Sequence, residues 1–179
     1  TCTWNVEVVD DESPMIFCNE VTAGNTFTYS GDDIIRPNDQ TAFEITVPLD
    51  VEITDINIVS LTGMMTDVGN LSAQLMSPTG TIVDLFDPLC SATSDFDIRF
   101  DDTSSVDVSL AQCGPLGNGE VFNPLGMLAD FNGEQSAGNW VLTLSNTGLE
   151  CGFLTDFKIE IIDLDSAGMD NNLSFDPII

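Results

Sequence analysis

The sequence predicts an all-β, jelly-roll-like antiparallel β-sandwich with an N-terminal strand extension. Apolar residues recur with period two in short runs, which is the spacing of a strand with one buried face. Gly, Pro, Asn and Asp punctuate those runs, and no sustained helical periodicity appears between them. With 179 residues and 42% hydrophobic content, the chain can bury one substantial core despite its charge.

Taken in order, the expected strands are Thr3 to Val9, Thr41 to Val47, Glu52 to Leu61, Leu71 to Ser77, Ile82 to Phe86, Phe96 to Phe100, Trp140 to Ser145 and Leu154 to Ile162. Turns are expected at Ser77-Pro78-Thr79-Gly80, Asn118-Gly119, Asn132-Gly133 and Asn146-Thr147-Gly148, whose residues supply fixed or positive φ. Three segments follow: an extension over 1–21, the sandwich over 22–163 and a tail over 164–179. In the extension, Trp4, Val6 and Val8 alternate with Asn5 and Glu7, so it can form a strand with one apolar face. The tail is polar at first and ends in Leu173, Phe175, Ile178 and Ile179.

Three basic residues stand against 30 acidic ones, a net charge of −27 that repels phosphate backbones and excludes nucleic acid as a natural partner. Such a surface draws divalent cations, and calcium prefers carboxylate and carbonyl oxygens. It also simply keeps an extracellular protein soluble. The chain has no histidine and no Cys-x-x-Cys pair, which argues against zinc. Its five cysteines are read as disulfide formers, with at least one left over for a free thiol or another chain. No run of about 18 apolar residues is present, so membrane insertion is not expected. The start at Thr1 suggests a processed or excised part of a secreted or cell-surface protein.

Catalysis finds little support. Ser-His-Asp and Cys-His arrangements need a base near neutrality, and histidine is absent. Paired carboxylates abound in any acidic chain, and nothing singles one pair out. Trp140, on a predicted strand between turn signals, is read as core rather than as a stacking platform for a ligand.

From Gly24 to Ile162 a series of motifs occurs in a fixed order. Ile53-Thr54-Asp55-Ile56-Asn57-Ile58 comes first, then Gly69-Asn70-Leu71 running into Ser77-Pro78-Thr79-Gly80-Thr81, then Phe100-Asp101-Asp102. Gly119-Glu120-Val121-Phe122-Asn123-Pro124 with Leu128 follows, then Phe131-Asn132-Gly133, Gly138-Asn139-Trp140-Val141-Leu142, and Gly152-Phe153-Leu154 with Phe157. This succession resembles the P domain (P/Homo B domain) of subtilisin-like proprotein convertases. The resemblance implies a non-catalytic sandwich that packs on a catalytic domain and stabilises it. Three departures stand out: Asn70 where Asp is usual, no histidine before it, and Phe157 where Trp is frequent. Separately, Thr1 to Asp10 with Pro14 and Ile16-Phe17-Cys18 is similar to the end of a hyalin repeat, as in mosaic bacterial surface proteins.

The strand and loop between Cys90 and Cys113 suggest a bridge closing that connection, and bacterial P domains resembling this one often carry cysteines there. Cys18 with Cys151 is the favoured second pair, leaving Cys2 for another chain. Expected calcium ligands are Asp67, Asp101 and Asp102, with Asp95, Asp97 and Asp130 in neighbouring loops, although no EF-hand string occurs.

Two functions compete at this stage. One is an extracellular structural or adhesive module that binds itself, or neighbouring domains of a larger surface protein. There Cys2, Trp4, Val6 and Val8 would complete a neighbour's sheet edge and build a filament. The alternative is an accessory P domain of a secreted subtilisin-like protease. A carbohydrate-binding module ranks last, since two Trp and one Tyr offer few stacking platforms.

Overall fold

The computed structural model describes residues 25–29, 31 and 33–163. Ten strands run in chain order: β1 (Asn25–Thr28), β2 (Asp33–Ile35), β3 (Asp39–Val47), β4 (Asp55–Met64), β5 (Leu71–Met76), β6 (Ile82–Phe86), β7 (Phe96–Phe100), β8 (Val121–Phe122), β9 (Gly138–Asn146) and β10 (Gly152–Ile162). One sheet has the order β1-β10-β4-β7-β8, with β2 also paired to β10; the other has the order β3-β9-β5-β6. All pairings are antiparallel except β7 with β8, which are parallel. The fold is thus the all-β sandwich the sequence predicts, and its helical content among the described residues is three short 3-10 turns.

Alternation builds the core. In β3, Phe43, Ile45 and Val47 point inward while Gln40, Ala42, Glu44 and Thr46 face solvent. Between the sheets lie Trp140, Phe43, Phe86, Phe96, Phe100, Phe122, Phe131 and Phe157, all fully buried. Aromatic side chains bury large areas each and dominate such a core. Phe157, where the resemblance leads one to expect Trp, occupies this interior without exposure.

The structure shifts one predicted strand. Glu52 and Ile53 do not begin β4, because their backbone is bonded elsewhere: Ile53 N donates to Glu134 O at 2.9 Å, Gly133 N donates to Ile53 O at 2.8 Å, and Glu52 bridges Gln135. The strands β1, β2 and β8 were not foreseen. They are two to four residues long, and β1 and β2 expose most of their side chains, so none carries a period-two apolar signal.

The turns behave as their composition requires. Asn118 and Gly119 both adopt positive φ, at 48° and 78°, the conformation that Asn and Gly tolerate best. Gly63 in β4 serves a different purpose. A Cβ there would lie 2.2 Å from the Phe96 ring and 2.5 Å from the Phe153 carbonyl oxygen. Gly63→Ala should therefore force β4 away from both neighbours and destabilise the domain by about 1–3 kcal/mol. A urea denaturation curve with an unchanged midpoint would contradict this packing.

Candidate functional site

Most of the predicted acidic residues are engaged with backbone or hydroxyl donors. Asp67 caps the 3-10 turn Val68–Asn70: Gly69 N and Ala92 N both donate to its Oδ1 at 2.9 Å, and Asn70 Nδ2 donates to Oδ2 at 3.2 Å. It thereby ties the end of β4 to the loop that carries Cys90. Asp101 Oδ1 accepts from Thr103 N and Oγ1, each at 2.7 Å. Asp102 receives Leu128 N at 3.0 Å and Ala129 N at 2.7 Å, one on each oxygen, and so fastens the turn Leu128–Phe131. Asp95 Oδ1 accepts from Met65 N at 3.1 Å, Asp97 Oδ1 accepts from Thr62 Oγ1 at 3.4 Å, and Asp130 lies within the turn that Asp102 holds. Bonds from backbone N–H to an ionised carboxylate are among the stronger kind, which suits these side chains to pinning loops.

Calcium needs six to eight oxygens converging on one point. Among the described residues no three acidic or thiol side chains gather as a metal would require, and the oxygens of Asp67 and Asp102 already accept N–H donors. Of the predicted set, Asp67 lies between β4 and β5, and Asp101 and Asp102 follow β7.

Cys90 and Cys113 form the expected disulfide, with Cα atoms 5.3 Å apart. Cys151 is exposed and makes no disulfide among the described residues. Its expected partner Cys18 lies outside the described residues, as do Cys2, Trp4, Val6 and Val8.

The outer face of the larger sheet carries a second acidic feature. Asp55, Asn57 and Val59 alternate on β4 with the core residues Ile56 and Ile58. Asn57 pairs with Glu160 on β10, and its neighbour Ile58 pairs with Phe100 on β7, next to Asp101. Asn57 Nδ2 donates to Asp55 Oδ2 at 3.3 Å and to Glu160 Oε2 at 3.4 Å. Its Oδ1 is buried and has no hydrogen-bond partner among the described residues. Beside it opens a cavity of about 210 Å³ lined by Asn57, Ile58, Val59, Arg99, Phe100, Asp101, Val121 and Glu160. Sequence reasoning did not single out Asn57, Glu160 or Arg99. The available signal was two strand-averse residues, Asp55 and Asn57, on the outward positions of a strand otherwise rich in Ile.

Burial, and after it the charge of Asp101, push the Asp55 carboxyl above its ordinary value; Asp102 adds to the effect, while bonds from Ile56 and Asn57 oppose it. A carboxyl raised in the folded state stabilises the fold fully below its unfolded pKa, and that stability is lost as pH rises through the folded pKa. Asp55→Asn should accordingly raise the melting temperature at pH 7, with the gain vanishing below about pH 4. Melting curves in which the variant is less stable at pH 7 would contradict the crowding.

The described residues define an all-β sandwich in which Asp67, Asp95, Asp101 and Asp102 accept hydrogen bonds from loop backbone. The chain belongs to the proprotein convertase P-domain family, whose model matches residues 55–161. P domains are non-catalytic accessory domains of subtilisin-like proteases, so this domain is not itself an enzyme. No curated protein matches the chain. Among solved structures it is similar to the serine protease of Aeromonas sobria, with 13% identity and a TM-score of 0.46 over 86% of this chain and 28% of that one. It is likewise similar to that protease in complex with the chaperone ORF2, with 13% identity and a TM-score of 0.47 over 78% and 27% of the two chains. An agarase, AgWH50C, shows 10% identity and a TM-score of 0.43 over 83% and 24%. The chain spans about a quarter of the length of these structures.

Proposed function

We infer that this chain is the accessory P domain of a secreted subtilisin-like protease, where it stabilises the catalytic domain to which it is joined. The observation that supports this reading is the family match over residues 55–161. A rigid sandwich with a disulfide and carboxylate-pinned loops suits the role, because a docked domain can stabilise a neighbour only if it is itself well folded. The disulfide also fits an oxidising, extracellular setting. On this reading 1–21 and 164–179 are segments flanking the sandwich. The test is the heat inactivation of proteolytic activity in the full-length secreted protein, with and without residues 22–163. Faster inactivation after removal is expected; an unchanged half-life, or a full-length protein with no proteolytic activity, would refute the reading.

A second reading, self-assembly by strand exchange, draws support from one edge. The nine-residue β3 is bonded to β9 on one side and has no backbone partner on the other among the described residues. Such an edge is a template for an added strand. Sedimentation velocity decides: species larger than a monomer that disappear on removal of residues 1–21 would favour exchange, and a compact monomer would eliminate it.

A further inference from the structure

We propose that the segment Thr3 to Val9 adds to the open edge of β3 in its own chain, as a further antiparallel strand of the smaller sheet. The inference stands apart from the accessory-domain reading. It assigns to one molecule the edge that strand exchange would share between two.

The first observation is that β3 is built like an inner strand. Every second residue of an edge strand turns its N–H and C=O away from its one partner, and proteins blunt such edges with proline, lysine, bulges or short length. β3 has none of these: it runs nine residues and pairs with β9 residue for residue, without a bulge. The other edge of the same sheet is covered. There Leu125 N donates to Leu85 O at 3.1 Å and Gly126 N to Asp84 O at 2.8 Å, so a loop lies along β6. No backbone group among the described residues does this for β3.

The second observation is the seam beside that edge. β1 and β2 lie against β3, and Phe27 of β1 and the adjacent Tyr29 are only half-buried, with Tyr29 meeting Phe43 edge to face at 5.6 Å. A strand added to β3 sends alternate side chains toward this seam and the others to solvent. Trp4, Val6 and Val8 are an apolar alternate set suited to the seam, and Asn5 and Glu7 are the polar set between them.

The third observation is charge, which selects direction and register. A cavity of about 650 Å³ opens where β2 turns into β3, and Arg36, one of the three basic residues of the chain, lines it with Gln40 and Ala42. Asp33, the acid in that lining, is held by the Tyr29 hydroxyl. An antiparallel segment brings Asp10, Asp11 and Glu12 to this end of β3, whereas a parallel one carries them to the Val47 end. With Val6 opposite Phe43, Asn5 falls beside Glu44 and Glu7 beside Ala42. A slip of two residues would set Glu7 against Glu44, and like charges directly opposite are destabilising.

Reach favours the same molecule over a second copy. About 15 residues separate Val9 from Asn25, enough to span up to about 50 Å, while a nine-residue strand is about 30 Å long. A tether that spans its site gives an effective concentration of about a millimolar. A separate copy at micromolar concentration, itself carrying −27, does not match that.

Amide exchange followed by NMR on the 179-residue chain tests the proposal. Alternate β3 amides should be protected to the same degree at every protein concentration, and the Trp4 indole should show nuclear Overhauser contacts to the Phe27 and Tyr29 rings. Val6→Pro should speed exchange of those β3 amides about tenfold or more, while the β5 amides keep their protection and so show an intact sandwich. Trp4→Ser should act in the same direction. Four results would each overturn the proposal: open-edge amides of β3 that exchange freely in the parent chain, protection indifferent to Val6→Pro, protection that rises with concentration, or protection lost instead through Leu173→Pro in the tail.

Discussion

Replacing Trp140 by alanine is expected to destabilise the domain by about 3–5 kcal/mol, the usual range for emptying a large aromatic site. Trp140 is fully buried on β9 and meets Phe131 edge to face, with ring centroids 5.1 Å apart. Its Nε1 donates to Ser136 O at 3.0 Å. Ser136 is buried in turn: its hydroxyl donates to Leu49 O at 2.6 Å and accepts from Val51 N at 3.1 Å. One side chain thus joins the core, the turn Leu128–Phe131 and the segment that follows β3. Trp140→Phe should recover most of the packing but strand the Ser136 carbonyl, at about 1–3 kcal/mol. Urea denaturation followed by circular dichroism measures both. A loss below about 1 kcal/mol for Trp140→Ala would fall outside the core range and place the indole outside the cooperative core.

Removing the Cys90–Cys113 bridge by a double alanine substitution is expected to cost about 3 kcal/mol on the chain-entropy estimate for a loop of this length. The two residues are 23 apart in sequence, and the loop they close contains all of β7 and the 3-10 turn Val108–Leu110. Its start is also bonded to Asp67 through Ala92 N, and Ser91 lies so near Gly69 that an added Cβ would come within 2.6 Å of its Cα. Loss of the bridge should therefore loosen the Asp67 capping contact as well. Hydrogen exchange at Gly69 and Ala92 should accelerate together with the fall in global stability. Protection unchanged at both amides would show that the carboxylate holds this loop without help from the disulfide.

Much of the fold was legible because its strands are half-buried. β3, β6 and β7 each show inward apolar residues at alternate positions, and that pattern alone places Phe43, Leu85 and Ile98 in the core. The disulfide was legible from its place around a strand and loop, together with the family resemblance. What escaped was set by tertiary pairing. β2 exposes Asp33 and Ile34 and is a strand because β10 lies beside it. Glu52 and Ile53 read as strand, yet the loop around Glu134 takes up their backbone. The candidate site was harder still. Asp67, Asp101 and Asp102 stand out in sequence by charge alone, and the bonds they accept from loop backbone and hydroxyl groups are visible only in the structure. Asn57 is strand-averse by type, but in sequence that says nothing of its partners. Only the register sets it between Glu160 and the Asp101 strand, with its Oδ1 unpaired among the described residues.

On the accessory-domain reading, this sandwich docks on, and stabilises, a catalytic domain in the same secreted polypeptide. Scanning calorimetry of the full-length protein tests it most directly. A single transition shared by the two domains, which falls to a lower temperature when residues 22–163 are removed, is the predicted result. Independent melting, with the catalytic domain's transition unmoved by that removal, would contradict it.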